Sequence, residues 1–144
     1  MRTVIPNSKY RICSLTAQAT RRMIAFYNRE LEPLGLTAPQ VMALSVFVEG
    51  EDIPLGEFAR RAGMGKAAGV TMIKRLEDQG LVETQPDPSD GRLNLIRITD
   101  KALALAPRIS AVIERLEKTL LEAVGGEELE ILLNGLKKIR DLDI

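Results

Sequence analysis

The residues of this chain best suited to chemistry are bases held apart from acids. Between Phe58 and Arg75 stand Arg60, Arg61, Lys66, Lys74 and Arg75 with no Asp or Glu among them, a local charge of +5 in a 144-residue chain whose formal net charge is zero. Residues 1–31 hold six bases against Glu30, again +5, while segments 32–57, 76–98 and 99–144 sum to −5, −3 and −2. Positive blocks offset by an acidic remainder are the footprint of a nucleic-acid binder. Solvated helix faces have the same composition, so the spacing of the bases has to choose between the two.

A second cluster is PDPSDGR, residues 86–92. Its prolines stiffen the arms of a loop, Asp90-Gly91 has the composition of a tight turn, and Arg92 follows. Asp90 is placed to orient the Arg92 guanidinium through a charge-assisted hydrogen bond. An ordinary polar hairpin turn with a surface ion pair is the plainer account. The third candidate is Cys13, whose solitude excludes an internal disulfide framework and suits a reducing cytoplasm. Its thiolate would be open to oxidation to a sulfenic acid, whereas a lone helical cysteine also serves as a small buried hydrophobe.

Other functions are poorly supported. The chain has no histidine, and so lacks the usual general base and the commonest metal ligand. Neither a phosphate-cradling glycine loop nor a nucleophile elbow is present, so no enzyme, cofactor or metal site is expected. No apolar run reaches the roughly 18–20 residues of a membrane span, and the N-terminal stretch has no signal-type apolar region, which predicts a cytoplasmic protein without a membrane partner. With 45% apolar residues in 15.9 kDa, one domain or two small subdomains sharing a core is expected.

Periodicity supplies the elements that must position these residues. Ile12, Leu15, Ala19, Met23, Phe26 and Leu31 recur at helical spacing, predicting a helix from Asn7 or Ser8 to Leu31, ended by Pro33 and Gly35. Thr37 is an N-cap with Pro39 in the first turn, opening a helix that the apolar spacing carries to Gly50. A short helix, Leu55–Ala62, stops at Gly63; another runs from Lys66 to Gln79 and closes at Gly80. LVETQ and LNLIRIT, on either side of PDPSDGR, have strand length and composition. A long helix follows from Thr99 to Val124, with Pro107 expected to kink or restart it. Gly125-Gly126 break it, and Leu129, Leu132, Leu136 and Ile139 form a last stripe.

Helix, glycine turn, helix and two strands make the order of a winged helix-turn-helix. On the second of those helices Gly69, Met72, Ile73 and Leu76 share one side, leaving Ala67, Ala68, Thr71, Lys74 and Arg75 on the other. Small residues near its start with bases further along let a helix enter a major groove closely. PDPSDGR is then the wing tip, with Arg92 reaching an adjacent minor groove, where narrow A·T tracts concentrate negative potential. The apolar stripes of the last two helices exceed what one small lobe can cover, so interlocking with a second copy is expected; packing within one chain is the alternative.

With these residues in view, the chain resembles the MarR family of bacterial transcription regulators. The likeness runs through LTAPQVMAL, the helix-turn-helix, RLEDQGLV, the DPSDGR wing and IRITDKAL. It implies a mostly α, α+β winged-helix fold. A helical dimerisation domain would take residues 1–33 and 102–144, and a DNA-binding lobe residues 34–101. It also implies a homodimer on double-stranded DNA, acting as a repressor released by a small-molecule effector or by oxidation. By position, Lys66, Ala67, Ala68, Thr71, Lys74 and Arg75 fall on the recognition helix, and Asp90 and Arg92 on the wing. Gly65 and Gly69 depart from the family pattern, which predicts a recognition helix loosened by an interior glycine. In the organic-peroxide-sensing branch, of the OhrR type, a cysteine at the place of Cys13 is bonded by a tyrosine at the place of Tyr27. Ala17 and Ala38 stand where that branch has further tyrosines, so the expectation favours a ligand-responsive regulator with a structural Cys13. A winged-helix protein-interaction module without DNA affinity is a further alternative.

Overall fold

The computed structural model describes Val4 and residues 11–144. The elements run α1 (Ile12–Leu31), α2 (Ala38–Leu44), β1 (Ile53–Pro54), α3 (Leu55–Ala62), α4 (Lys66–Asp78), β2 (Val82–Pro86), β3 (Asn94–Ile98), α5 (Asp100–Val124) and α6 (Gly126–Arg140). This is the mostly helical winged-helix arrangement read from the sequence. Its antiparallel sheet has the order β1-β3-β2, with Thr84 opposite Ile96 in the hairpin and Ile96 opposite Ile53 on its other side.

Two expectations about the elements need correction, one falls partly outside the described residues, and one short strand has no signal in the sequence. Arg11 is left-handed at φ 46°, so α1 starts at Ile12; a start at Asn7 or Ser8 lies outside the described residues. The second helix ends at Leu44, six residues early, although its Thr37–Gln40 capping box forms as the sequence suggests. Tertiary contacts stop it. Phe47 leaves the helical path to stack on Phe58 at 5.4 Å between centroids, and Arg61 takes the Val46 carbonyl at 3.2 Å. Strand β1, only two residues long, carries no period that a sequence could show. Finally, α5 runs unbroken through Pro107. The proline lies on an exposed turn, where water can satisfy the carbonyl its missing N–H leaves free.

One apolar core joins the parts. Phe58, Leu76, Leu81 and Ile96 are almost fully buried, and the same cluster takes in Leu31 of α1 and Ala102 and Val112 of α5. Helices α3 and α4 cross where Gly69 faces Ala59; a Cβ on Gly69 would stand 3.4 Å from the Ala59 Cβ. The interior glycine is therefore placed at a close crossing.

Beside that crossing lies a network of ion pairs. Arg61 grips Glu51 with two hydrogen bonds of 2.7 and 2.8 Å and reaches Glu57 at 2.9 Å, while Arg60 holds Glu57 at 2.7 and 2.9 Å. The hydrogen bonds from Arg60 and then Arg61 pull the Glu57 carboxyl down to about 2, and the Arg61 guanidinium rises beyond its ordinary value in return. Elsewhere Arg97 pairs with Asp52 at 2.7 Å, tying β3 to the approach to β1, and Arg115 pairs with Glu30 at 2.7 Å, tying α5 to α1.

Two outcomes follow for stability. Gly69→Ala should raise it by up to about 1 kcal/mol, because helix propensity improves and 3.4 Å is an ordinary contact. Gly69→Leu should cost about 1–3 kcal/mol by forcing α3 and α4 apart; urea midpoints compare all three chains. For Glu57, a folded value below the unfolded one gives stability that is present above about pH 5 and lost as pH falls toward 2. Glu57→Gln should thus be less stable than the wild type at pH 7, and the gap should close by pH 2.

Candidate nucleic-acid interface

Helix α4 is presented as a ridge with one side committed to the core. Gly69, Met72, Ile73 and Leu76 are buried, whereas Lys66, Ala67, Ala68, Thr71, Lys74 and Arg75 are all exposed. The structure thus brings six of the sequence-derived site residues together on one surface, as the helical period requires. Gly63 makes the turn before it, left-handed at φ 64°, and its N–H caps the carbonyls of Ala59 and Arg60. Gly65 is the N-cap and offers no side-chain acceptor.

The far end of α4 is fastened from two directions, which sequence inspection did not anticipate. The Gln79 side chain donates to the Gly35 carbonyl at 2.9 Å and accepts from Gln40 at 2.5 Å. From the start of α5, Lys101 donates to the Gln79 carbonyl at 2.6 Å and Thr99 to the Gly80 carbonyl at 2.6 Å. A cation and a hydroxyl satisfying terminal carbonyls are favourable partners for a helix C-terminus. The signal available in the sequence was only a Gln followed by Gly at the helix end.

The wing tip is built from two successive turns. Asp90 N–H donates to the Asp87 carbonyl at 3.2 Å, and Leu93 N–H donates to the Asp90 carbonyl at 3.0 Å. Gly91 and Arg92, rather than Asp90 and Gly91, are therefore the central pair of the second turn. Asp90 has another job than expected: its carboxylate accepts the Arg92 backbone N–H at 3.1 Å and forms no ion pair with the guanidinium. Asp87 organises the first turn, and its bond from the Ser89 hydroxyl holds its carboxyl below the ordinary value.

Charge on this face differs from the simple sequence count. Arg60 and Arg61 are occupied by Glu57 and Glu51, which lie just before the acid-free block in sequence but beside it in space. Among the described residues, Lys66, Lys74, Arg75 and Arg92 make no ion pair. Between α4 and the wing lies a groove of about 900 Å³, with Lys66, Lys74 and Arg92 at its basic walls and Glu77 and Asp78 toward the C-terminal end of α4. On the outer side of α4 a smaller hollow of about 390 Å³ is lined by Met64, Ala67, Ala68, Thr71, Met72 and Arg75. Met64 was missed because an apolar residue in a three-residue turn has no period to reveal it.

Cys13 and Tyr27 are not brought together within the chain. Both lie on α1, 14 residues or about 21 Å apart along the axis. Cys13 is exposed, while Tyr27 is half-buried near Glu117, and burial first and that carboxylate second raise its hydroxyl above the ordinary value. Within one chain the two side chains therefore cannot meet. No helix among the described residues is long and apolar enough to cross a membrane.

The geometry has close counterparts. Residues 34–93, the span from α2 through the wing tip, match the model of the MarR family. YdgJ of Bacillus subtilis, an uncharacterised HTH-type transcriptional regulator, is 25% identical over 107 residues, which cover 74% of this chain and 65% of that protein's length. BpsR of Bordetella bronchiseptica, whose DNA binding is regulated by 6-hydroxynicotinic acid, superposes with a TM-score of 0.84 at 21% identity, covering 96% of this chain and all of that one. MarR of E. coli superposes with a TM-score of 0.73 at 25% identity, over 96% and 98% of the two chains. Sequence match and whole-chain superposition agree: residues 34–93 match the MarR family, and the chain as a whole has the winged helix-turn-helix fold of that family's transcriptional regulators.

Proposed function

We propose that the protein is a homodimeric repressor that binds a pseudo-palindromic DNA operator and is released from it by a small-molecule effector. The observation that carries this is the outward face of α4, where Lys66, Lys74 and Arg75 make no ion pair among the described residues and where Lys66 and Lys74 share a groove with Arg92 of the wing. In this proposal α4 enters the major groove, where Ala67, Ala68 and Thr71 permit close approach. Lys66, Lys74 and Arg75 meet phosphates and bases, and Arg92 enters the minor groove from a wing that Asp90 shapes through the backbone. Regulation of BpsR by 6-hydroxynicotinic acid supports a small-molecule effector here.

Dimerisation is assigned to residues 1–33 and 102–144, with 34–101 as the DNA-binding lobe. Support comes from the apolar surface left uncovered in one chain. No residue of α6 is buried, and Leu132, Leu133, Leu136 and Ile139 are exposed, together with Leu121 and Val124 of α5 and Ile12 and Leu15 of α1. Exposed apolar side chains gathered in this number on the terminal helices are what an interface would cover. Leu116, in contrast, is 7% exposed and belongs to the chain's own core, so part of the long stripe expected at the interface is intramolecular.

Lys74→Glu or Arg75→Glu should weaken binding to the promoter region of the protein's own operon and flatten its salt dependence, because fewer counterions are released. Unchanged affinity and slope in both would remove α4 from the interface. Arg92→Ala should cost about 1–3 kcal/mol of binding, more with A·T than with G·C flanks; equal losses would reduce Arg92 to a phosphate contact. Leu136→Asp should abolish the dimer and, with it, tight operator binding. A variant that stays dimeric by light scattering would refute the assignment of α6, and Leu116→Asp is unsuitable for this test because it would unfold the monomer core.

A further inference from the structure

The composition of the exposed face of α4, set against the hollow on its outer side, restricts which bases it can read. Residues 65–76 contain no Asn, Gln, Asp or Glu, and so lack the side chains that pair with adenine in bidentate fashion or accept from cytosine. What remains is of two kinds. Lys66, Lys74 and Arg75 can donate to guanine O6 and N7, while alanine, threonine and methionine methyl groups can meet the 5-methyl group of thymine. Thr71 donates its hydroxyl to the Ala67 carbonyl at 3.2 Å, so its donor is engaged within the helix. The hollow of about 390 Å³ beside it is walled by Met64, Ala67, Ala68 and Met72, with Arg75 at its edge. Arg75 is the one cation in the lining of this hollow, beside an otherwise largely apolar seat.

We propose that the hollow beside Ala67 and Ala68 seats thymine 5-methyl groups and that Arg75 reads a guanine, so that each operator half-site carries a thymine and a guanine a fixed distance apart. Ala68 and Arg75 are seven residues, or about 10.5 Å, apart along the helix, which corresponds to about three base-pair steps. This specificity rests on the DNA-binding function proposed above.

The test starts from a pool of random-sequence duplexes retained by the full-length protein in low salt and enriched over several rounds. The enriched half-sites should hold thymine and guanine at that spacing. Replacing the thymine by deoxyuridine removes only the methyl group and should weaken binding about three- to five-fold per position. With the Ala67→Gly/Ala68→Gly variant the ratio of the two affinities should fall toward one; since it compares two duplexes on the same protein, any loss of helix stability cancels. Exchanging the guanine pair for an A·T pair should cost wild type five-fold or more and Arg75→Ala almost nothing. If no duplex is retained, the DNA-binding proposal itself fails. If duplexes are retained without an enriched sequence, or are indifferent to deoxyuridine, the thymine assignment alone is overturned; an equal guanine preference in wild type and Arg75→Ala overturns the role of Arg75.

Discussion

The burial of one side of α4 is the constraint on which the rest of this structure depends. Gly69 lies against Ala59, and Met72, Ile73 and Leu76 enter the core that Phe58, Leu81 and Ile96 complete. Once that side is fixed, 3.6 residues per turn leaves no freedom in what the other side presents. Lys66, Ala67, Ala68, Thr71, Lys74 and Arg75 are outside because their neighbours are inside. An interior glycine that would weaken an isolated helix here lets two helices meet closely. A methyl group would still fit there, but a side chain as large as leucine would force the helices apart.

Holding the rotation of α4 is not enough; its direction also has to be set. That falls to the contacts at its C-terminus, where Gln79 is tied to Gln40 and Gly35 and where Lys101 and Thr99 take the last carbonyls. These partners belong to the α1–α2 connection, to the first turn of α2 and to the start of α5. A displacement of the terminal helices would therefore be transmitted to α4 through short, directional bonds rather than through a flexible linker. The same core cluster runs from Leu31 and Val112 to the lobe, so the terminal helices and the winged lobe share apolar packing as well.

Electrostatics sharpen the division of labour. Arg60 and Arg61 look equivalent to Lys74 and Arg75 in composition, yet Glu57 and Glu51 engage them at 2.7–2.9 Å and turn them into fastenings of α3. Within the basic block 58–75, Lys66, Lys74 and Arg75 of α4 make no ion pair among the described residues, and neither does Arg92 at the wing tip. Polar partners so placed make a basic surface that is narrower than the sequence suggests and better aimed.

Much of this protein could be read from its residues alone. Glycine stops and helical periods located α3 and α4, strand length and composition located β2 and β3, and the helical period separated the inner from the outer side of α4, because burial on one face leaves a repeat that survives in a single sequence. The Thr37–Gln40 cap was legible for the same local reason. What sequence could not show depended on partners distant along the chain. The early end of α2 needed Phe58 and Arg61; β1 needed β3; Asp90 chose a backbone N–H over the Arg92 guanidinium once the tip folded into two turns. Cys13 and Tyr27 lie about 21 Å apart on one rigid helix, so any pairing of the two would need a second chain, which a single sequence does not show. Local order is encoded in short-range repeats and caps, whereas ion pairing, strand pairing and the end of a helix are decided by which distant groups the folded chain brings within reach.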